Sequence, residues 1–397
     1  MTTNEAKTKT ETAAQPAAWM DVPTDPERDA HLRSLNREQV LALSREERMR
    51  WFYLLHVAHP ELARVTKDLS ELLNPNNDVK LISIIGPTGI GKSTLATSIL
   101  TQLVDEFAET RLPHEVPFVY VTAPANGEHS MSWKTLYRRI MIAAGTPHLS
   151  LHRPVEVLDG EMHAVRSTRT SLAHLREELE AVIKYRNIRV LIIDEAMHLL
   201  RFNENAAIMD TLKSLADIHQ TKLVLIGTYQ IAPLMIEYGQ LARRSAILHY
   251  RRYSPPKPGN PSAGSPAPKK PNPDQPTEME RAFKHAVNRL QHHWPCAEVP
   301  NLEAVWPELM RASLGSVGLL KSQLLQLAWL QMQQKGEAFL AKDLLRAVKP
   351  PKQLAKIERE TAEGEEELAG ACYGEADFGG AEEMKRFFER LTGKAHA

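Results

Sequence analysis

A glycine-rich segment near the end of the first quarter of the chain has the residue types that bind phosphate groups. Its sequence, GPTGIGKS, fits the pattern GxxxxGK[ST]. Glycines let backbone N–H groups approach phosphate oxygens without a Cβ clash, and the following helix N-terminus adds positive potential. We expect Lys92 to bind the β- and γ-phosphates of ATP and Ser93 to bind Mg²⁺. The predicted nucleotide-binding residues are Gly86, Pro87, Thr88, Gly89, Ile90, Gly91, Lys92, Ser93 and Thr94.

Two adjacent carboxylates follow an apolar segment further along the chain. The segment VLIIDE delivers Asp194 and Glu195 to the end of a predicted strand, where ligands bind in open α/β sheets. Asp194 is expected to hold Mg²⁺, directly or through water. Glu195 is expected to polarise the attacking water as a general base. An acidic helix N-terminus is the structural alternative, and the phosphate loop upstream favours the catalytic interpretation.

Short apolar segments predict the strands that position these residues. Each is almost continuously apolar, which is typical of strands buried on both faces and therefore of a parallel sheet under helices. Helical patterns lie between them, over residues 171–186 and 206–219. The fold class is α/β, with a five-stranded parallel sheet in a three-layer sandwich. The predicted strands are Leu81–Ile85, Phe118–Val121, Val190–Ile193, Leu223–Ile226 and Ala246–Leu248.

The order of these segments resembles one branch of the P-loop ATPases. A complete strand, Phe118–Val121, lies between the loop strand and the Asp-Glu strand along the chain. A glutamate also follows the aspartate directly, unlike the pattern of small-molecule kinases and GTPases. In this order the chain is similar to AAA+ proteins, whose P-loop module is followed by a small all-α lid domain.

The resemblance to AAA+ proteins implies further site residues. It implies a polar sensor at the end of the fourth strand, here Thr228. It also implies an arginine finger just before the fifth strand, which neutralises transition-state charge in the neighbouring subunit. Arg243 and Arg244 are both candidates for the finger, and a solvated basic turn is the alternative. Lys321, in the segment GSVGLLK, lies where a second sensor usually binds nucleotide, although that sensor is most often arginine.

The segments on either side of the catalytic strands have their own composition. Ser44 and Glu47 form a predicted capping box, and a second helix is predicted over residues 60–73. The acidic segment after Pro350 is expected to be disordered, although it could hold a short helix around Glu382–Leu391. The predicted domains are 1–36, a disordered tail; 37–80, a helical lead-in; 81–253, the α/β ATPase domain; 254–277, a flexible Pro-rich insert; 278–350, the helical lid; and 351–397, the acidic tail.

Composition limits the possible location and partners of the chain. Lys plus Arg and Asp plus Glu each number 49, so the formal net charge is zero and any nucleic-acid contact must come from a local patch. Cys296 and Cys372 are not spaced as a metal site, which indicates a reducing compartment. The first residues lack the apolar core of a signal peptide, and no apolar run is long enough to span a membrane. We therefore expect a soluble, cytoplasmic protein.

Residues 46–348 resemble the TnsC/TniB family of transposition regulators. The resemblance includes HPELARVTKDLSELLNPNN before the loop strand, VTAP after the second strand, and the helix SWKTLYR. It continues through IIDEAMHLL, VLIGT, QLARR and GSVGLLKSQLLQLAWLQ, and their order and spacing make the case. The resemblance implies a homo-oligomeric ring or helical filament on double-stranded DNA that couples a target-selection protein to a transposase. ATP hydrolysis would switch this assembly off.

A local basic segment with interleaved aromatic residues is the candidate DNA-binding surface. Trp133 and Tyr137 alternate here with basic residues. Phosphate contacts from such residues give affinity without reading sequence. An ordinary solvated helix face is the alternative. The candidate DNA-binding residues are Lys134, Arg138, Arg139, Arg166 and Arg169.

Other functions are compatible with the same ATPase module. A replication initiator or helicase loader usually carries a separate DNA-reading module, and the acidic region after residue 350 is a poor candidate for one. An AAA+ ATPase that acts on proteins without nucleic acid, such as a signalling ATPase, is a second alternative, although no internal repeat is present to support a protein-interaction array. A scaffold that binds ATP without turnover is a third, and Glu195 argues against it.

Overall fold

The computed structural model describes residues 25–125, 132–146, 155–158, 161–164, 171–199, 205–237, 244–253 and 276–374. The chain forms two compact units. We call the first the sheet unit; it comprises Ala58–Phe283, Leu314–Leu319 and Pro350–Ala397. We call the second the helical unit; it comprises Met1–Val57, Lys284–Ser313 and Leu320–Lys349.

The sheet unit is built on a five-stranded parallel sheet, which confirms the predicted fold class. The strand order is β2-β5-β6-β1-β7, so β7 is an edge strand and β6 lies between β1 and β5. Each predicted strand is present within one residue of its predicted bounds. The strands are β1 (Leu81–Ile85), β2 (Phe118–Thr122), β5 (Val190–Asp194), β6 (Lys222–Gly227) and β7 (Ser245–His249).

Apolar residues on both faces of the sheet explain why these strands form. In β1, Leu81 and Ile85 belong to one buried cluster, whereas Ile82 and Ile84 belong to another. Helices cover each cluster, so the sheet is the middle of three layers. The helices packed around the sheet are α4 (Pro60–Leu73), α5 (Lys92–Phe107), α6 (Trp133–Ala143), α7 (Leu172–Tyr185), α8 (Asn205–Ala216), α9 (Ala232–Glu237) and α14 (Pro351–Glu367).

The helical unit packs around buried aromatic side chains. Phe52 meets Trp294 edge-on, with ring centroids 5.6 Å apart. The indole N–H of Trp294 donates to Oε1 of Gln331 over 2.8 Å, which satisfies its polar edge in the core. Ser44 and Glu47 form the predicted capping box. The remaining helices are α1 (Pro26–Ser34), α2 (Arg37–Leu41), α3 (Arg45–Leu54), α10 (Glu278–His292), α11 (Trp306–Ala312), α12 (Val317–Gln333) and α13 (Lys342–Ala347).

The expected N-terminal disorder is wrong for the residues from 25 onward. Asp25 caps α1 by accepting hydrogen bonds from the N–H groups of Glu27 and Arg28. Asp29 on α1 forms a two-pronged ion pair with Arg50, and Leu32 is buried. These contacts fix a short helix that the polar composition of the segment does not suggest.

The expected disorder of the acidic tail is likewise wrong for residues 351–374. Helix α14 occupies 17 of these residues, and Leu368 just after it is fully buried in the core of the sheet unit. The buried and half-buried residues recur at spacings of three and four, which is the stripe of an amphipathic helix. That stripe consists of Leu354, Ile357, Thr361, Gly364 and Leu368. The helix predicted around Glu382–Leu391 lies outside the described residues.

Two further features complete the described fold. An antiparallel hairpin of β3 (Val155–Leu158) and β4 (Glu161–Ala164) lies in a region where the sequence predicts no strand. Most of the Pro-rich insert, residues 254–275, lies outside the described residues, and Thr277 after it caps α10 in a capping box with Glu280. None of the described helices is both long and apolar enough to cross a bilayer.

Candidate nucleotide-binding site

The phosphate loop connects strand β1 to helix α5, as the motif requires. The φ angles of Gly89 and Gly91, +79° and +107°, lie in the left-handed region that glycine adopts at little cost. At Gly86 the constraint is space, because a Cβ would lie 2.5 Å from the carbonyl oxygen of Tyr250. The backbone itself therefore requires all three glycines of the motif. Helix α5 begins directly after the loop, and the first backbone N–H groups of a helix lack partners within the helix.

Lys92 places a half-buried cationic group at this loop. Its ammonium group donates to the carbonyl oxygens of Gly86 and Pro87, each over 2.9 Å. Burial lowers the pKa of Lys92 to about 8, although the nearby Glu195 and Asp194 favour the charged form. Burial therefore destabilises the charged ammonium group, and a bound phosphate group would stabilise it again.

The carboxylate of Asp194 is the centre of a hydrogen-bond network at the end of β5. The Ser93 hydroxyl donates to Oδ2 over 3.0 Å, and the backbone N–H of Glu195 donates to Oδ1 over 2.7 Å. Asp194 is only 4% exposed, so these bonds fix its orientation. The structure thus brings together the two predicted magnesium ligands, which are distant in the sequence.

The third donor to Asp194 is Tyr120, which we did not predict from the sequence. Its hydroxyl donates to Oδ2 over 2.6 Å. Tyr120 lies on β2, and the register pairs it with Ile192, two residues before Asp194 on the adjacent strand. Burial and the bond to Asp194 both raise the pKa of Tyr120, which keeps the hydroxyl protonated as a donor. A hydroxyl-bearing residue inside the apolar segment FVYVT is the signal that could have found it.

Glu195 and Thr228 lie beside this network. Glu195 has a φ of +53°, a left-handed conformation that costs a non-glycine residue about 1–3 kcal/mol. Its side chain is exposed and free to meet solvent water, unlike that of Asp194. Thr228 follows β6, and its hydroxyl contacts the sulfur of Met197 over 3.7 Å. Because β6 lies next to β5, the predicted sensor is adjacent to the segment that carries Glu195.

A second segment of the sheet unit, Leu314–Leu319, packs directly on the phosphate loop. The Ser316 hydroxyl donates to the carbonyl oxygen of Gly89 over 2.9 Å. A Cβ on Gly318 would lie 2.1 Å from the same oxygen and 3.0 Å from the backbone nitrogen of Gly91. Ser316 and Gly318 therefore hold the loop from outside the motif, and the sequence reasoning missed both.

Arg244 and Lys321, the described candidates for the arginine finger and the second sensor, have their own contacts within the sheet unit and the helical unit, respectively. The carbonyl oxygen of Arg244 accepts hydrogen bonds from the N–H groups of Lys80 and Leu81, which places Arg244 at the N-terminal ends of β1 and β7. The phosphate loop is at the opposite, C-terminal edge. Arg243 lies outside the described residues. The Lys321 ammonium donates to the carbonyl oxygens of Tyr53 and Leu55 within the helical unit, over 2.6 Å each, so other partners already bind it.

The candidate DNA-binding residues are only partly accessible. Lys134 and Arg138 are exposed one turn apart on α6. The Arg139 guanidinium donates to the carbonyl oxygen of Thr122 over 2.8 Å. Tyr137 is 3% exposed and belongs to the core, so this aromatic residue is not part of an open stacking surface as its spacing suggested. Arg166 and Arg169 lie outside the described residues.

The residues of this site fit ATP with Mg²⁺. The loop glycines leave open a concave backbone surface that larger side chains would occupy. Lys92 supplies a cation, and because burial disfavours its charged form, a bound anion would stabilise it. Within the described part of the chain, no cluster of three His, Cys, Asp or Glu side chains could hold a metal alone. Mg²⁺ usually binds one or two protein oxygens together with substrate phosphates. Ser93 and Asp194 offer those two oxygens.

The sheet order, the phosphate loop after β1 and the carboxylates after β5 define an AAA+ P-loop fold. Residues 77–235 match the family model described as an AAA domain. The matched segment covers the loop, both carboxylates and Thr228.

Several solved structures are similar to the chain at low identity. They include the Aeropyrum pernix ORC2 protein in ADPNP–ADP complexes (16% identity, 77% of this chain and 67% of that chain, TM-score 0.44). Drosophila ORC bound to DNA is also similar (14%, 87% and 70%, TM-score 0.45). So is a Walker-type ATPase of Pyrococcus abyssi (13%, 84% and 84%, TM-score 0.42). None of the curated proteins matches the chain.

Proposed function

We propose that the chain hydrolyses ATP at the phosphate loop. The network in which Ser93 and Tyr120 both donate to Asp194 carries this proposal, because it orients one buried carboxylate beside Lys92. Mg²⁺, when bound with ATP, would neutralise phosphate charge. Lys92 would bind the phosphates, and Ser93 and Asp194 would hold the metal. The exposed carboxylate of Glu195 would orient water and accept its proton.

Two substitutions test this assignment. Steady-state phosphate release and calorimetric ATP binding would be measured for the wild type, Lys92→Ala and Glu195→Gln. We expect Lys92→Ala to lose nucleotide binding, because the loop loses its cation. Glu195→Gln should bind ATP but release phosphate at least about 100-fold more slowly, since removal of a general base typically costs 10²–10⁴-fold. Equal rates for the wild type and Glu195→Gln would contradict the role of Glu195.

The position of Arg244 supports action between subunits. Strands β1 and β7 are parallel and each has five residues, so Arg244 and the phosphate loop are separated by roughly 16 Å along the sheet. An arginine at that edge would serve the site of a neighbouring subunit in a homo-oligomer. Arg243 is the alternative candidate for the same role.

Mixing two inactive variants tests this arrangement. Arg244→Ala keeps an intact phosphate loop, and Lys92→Ala keeps an intact finger. If the finger acts between subunits, mixtures of the two should regain part of the wild-type rate. If only Arg243→Ala, and not Arg244→Ala, inactivates the chain and complements Lys92→Ala, the finger is Arg243. No recovery from either mixture would contradict action between subunits.

We further propose that the chain is an ATP-dependent DNA-transposition regulator. It would assemble on double-stranded DNA, couple a target-selection protein to a transposase, and leave the DNA after hydrolysis. The resemblance of residues 46–348 to the TnsC/TniB family supports this role. Lys134 and Arg138, exposed on one side of α6, offer contacts to DNA phosphates.

A salt series on a random-sequence duplex tests the DNA contacts. We expect binding that requires ATP and weakens with salt, because phosphate contacts release counterions. The double variant Lys134→Ala/Arg138→Ala should reduce the salt slope by about 2 per subunit, or about 1 for each lost phosphate contact. Lys184→Ala/Lys213→Ala, which removes two exposed lysines elsewhere on the sheet unit, is the control. Normal nucleotide binding without DNA binding at low salt would favour an AAA+ ATPase that acts on proteins.

A further inference from the structure

The C-terminal segment 351–374 docks on the sheet unit beside the predicted sensor. Helix α14 contacts Tyr229, the residue directly after Thr228. A Cβ on Gly364 would lie 2.1 Å from Cγ and 2.5 Å from Cδ1 of the Tyr229 ring. The helix backbone therefore touches the ring itself, and only glycine permits this approach.

Ion pairs hold the helix against the sheet unit. The guanidinium of Arg252 binds Glu365 through two hydrogen bonds of 2.9 and 3.1 Å, and it binds Glu358 over 3.1 Å. The Arg252 side chain is only 6% exposed. Removing one partner of a buried ion pair is strongly destabilising, because it leaves a buried charge without its counter-charge.

The residues after α14 extend the docking along the edge of the sheet. Leu368 is fully buried in the same apolar cluster as Tyr229. The N–H of Tyr373 donates to the carbonyl oxygen of Ile247 over 2.8 Å. Because β7 is an edge strand, this bond pairs a carbonyl group that has no neighbouring strand on that side.

A continuous set of contacts joins this segment to the site. The Tyr229 hydroxyl is hydrogen-bonded to Nε2 of His249 over 3.0 Å, which fixes the far end of the ring. The near end is fixed by Gly364. Thr228, one residue earlier, contacts Met197, which lies two residues after Glu195. A shift of the Tyr229 ring would therefore move the loop that carries Thr228.

We propose that Tyr229 is a positioning residue for Thr228 and that the C-terminal segment holds it in place through Gly364. This inference rests on the proposed ATPase function. It gives the segment 351–374 a role in the rate of ATP hydrolysis, which its acidic composition alone does not indicate. Loss of the contact should lower kcat and leave nucleotide binding unchanged, since the predicted phosphate-binding residues follow β1, whereas Tyr229 follows β6.

Gly364→Ala in the full chain is the test, because deletion of the segment would expose the core around Leu368. Alanine normally stabilises a helix relative to glycine. If Gly364 mattered only for the stability of α14, the substitution would therefore not impair the protein. We expect kcat to fall about tenfold or more, because misplacement by about 1 Å can cost up to about 100-fold. The dissociation constant for ATP should stay within about twofold. Glu363→Ala, an exposed neighbour on α14, is the matched control.

Thiol labelling of Cys372 reports independently on docking. Cys372 is half-buried, and burial raises the pKa of its thiol, so the docked segment should react slowly. Gly364→Ala and the milder Glu365→Gln should both increase the labelling rate at Cys372, located by peptide mapping, together with the fall in kcat. Faster labelling with unchanged kcat would overturn the positioning role. A wild type that binds but never hydrolyses ATP would overturn the proposed ATPase, and this inference with it.

Discussion

Removal of the Tyr120 hydroxyl should lower the affinity of the site for Mg²⁺ and leave the metal-free affinity for ATP unchanged. In Tyr120→Phe the ring remains, and Oδ2 of Asp194 loses the shortest of its hydrogen bonds, 2.6 Å long. Ser93 still donates to the same oxygen, so the carboxylate stays near its place but is less firmly oriented. The variant therefore keeps the metal ligand Asp194 and changes only how firmly its carboxylate is oriented.

The magnitude follows from the kind of bond that is lost. A hydrogen bond to a charged group contributes about 1.5–3 kcal/mol. Since 1.4 kcal/mol corresponds to about a tenfold change in an equilibrium constant, the Mg²⁺ concentration at half-saturation should rise about tenfold or more. Loss of a residue that orients a metal ligand typically costs about 10- to 100-fold in metal affinity, which agrees with this range.

The assay is a Mg²⁺ titration followed by the fluorescence of a labelled ATP analogue and, in parallel, by phosphate release. Binding of the analogue in EDTA measures the metal-free affinity, which should stay within about twofold of the wild type. Tyr185→Phe removes a hydroxyl from an exposed tyrosine on α7 and is the control. If Tyr120→Phe and the wild type have the same Mg²⁺ midpoint, the orienting role of Tyr120 is wrong.

Three other substitutions or conditions follow from the same structure. Metal-free ATP affinity should fall as pH rises above about 8, because the pKa of Lys92 is lowered to about 8 and only the charged form pairs with phosphate; calorimetry at a series of pH values measures this, and an affinity that stays constant above pH 8 would contradict it. Lys222→Met should lower the free energy of unfolding by about 3 kcal/mol, because three carbonyl groups lose the buried ammonium group; urea titration would show this, and the exposed Lys213→Met should not. Gly318→Ala should weaken ATP binding at least about tenfold (about 1.4 kcal/mol), because its Cβ would lie 2.1 Å from the Gly89 oxygen; unchanged affinity in calorimetry would contradict that contact.

The sheet and the phosphate loop were predictable because local sequence determines them. Five nearly continuous apolar segments gave the strands, and the observed strands differ from them by at most one residue at either end. The capping box of Ser44 and Glu47 and the helix over 60–73 were predictable for the same reason. In each case the residues that decide the structure are neighbours in the chain.

The residues that sequence reasoning missed depend on contacts between distant segments. Tyr120 meets Asp194 only because β2 and β5 are adjacent in the sheet. Ser316 and Gly318 act on a loop more than 200 residues earlier. The acidic composition of the tail predicts disorder, but Glu358 and Glu365 neutralise the buried Arg252, which lies in a distant segment of the chain. The stripe from Leu354 to Leu368 was the local signal of a docked helix.

A time course of duplex binding after a limited addition of ATP tests the proposed switch most directly. Fluorescence anisotropy of a labelled random-sequence duplex would be followed together with phosphate release. We expect the wild type to bind the duplex on addition of ATP and to dissociate as phosphate appears, whereas Glu195→Gln should bind and stay bound. Anisotropy that does not respond to ATP in either protein, while the wild type still hydrolyses ATP, would show that ATP does not control DNA binding.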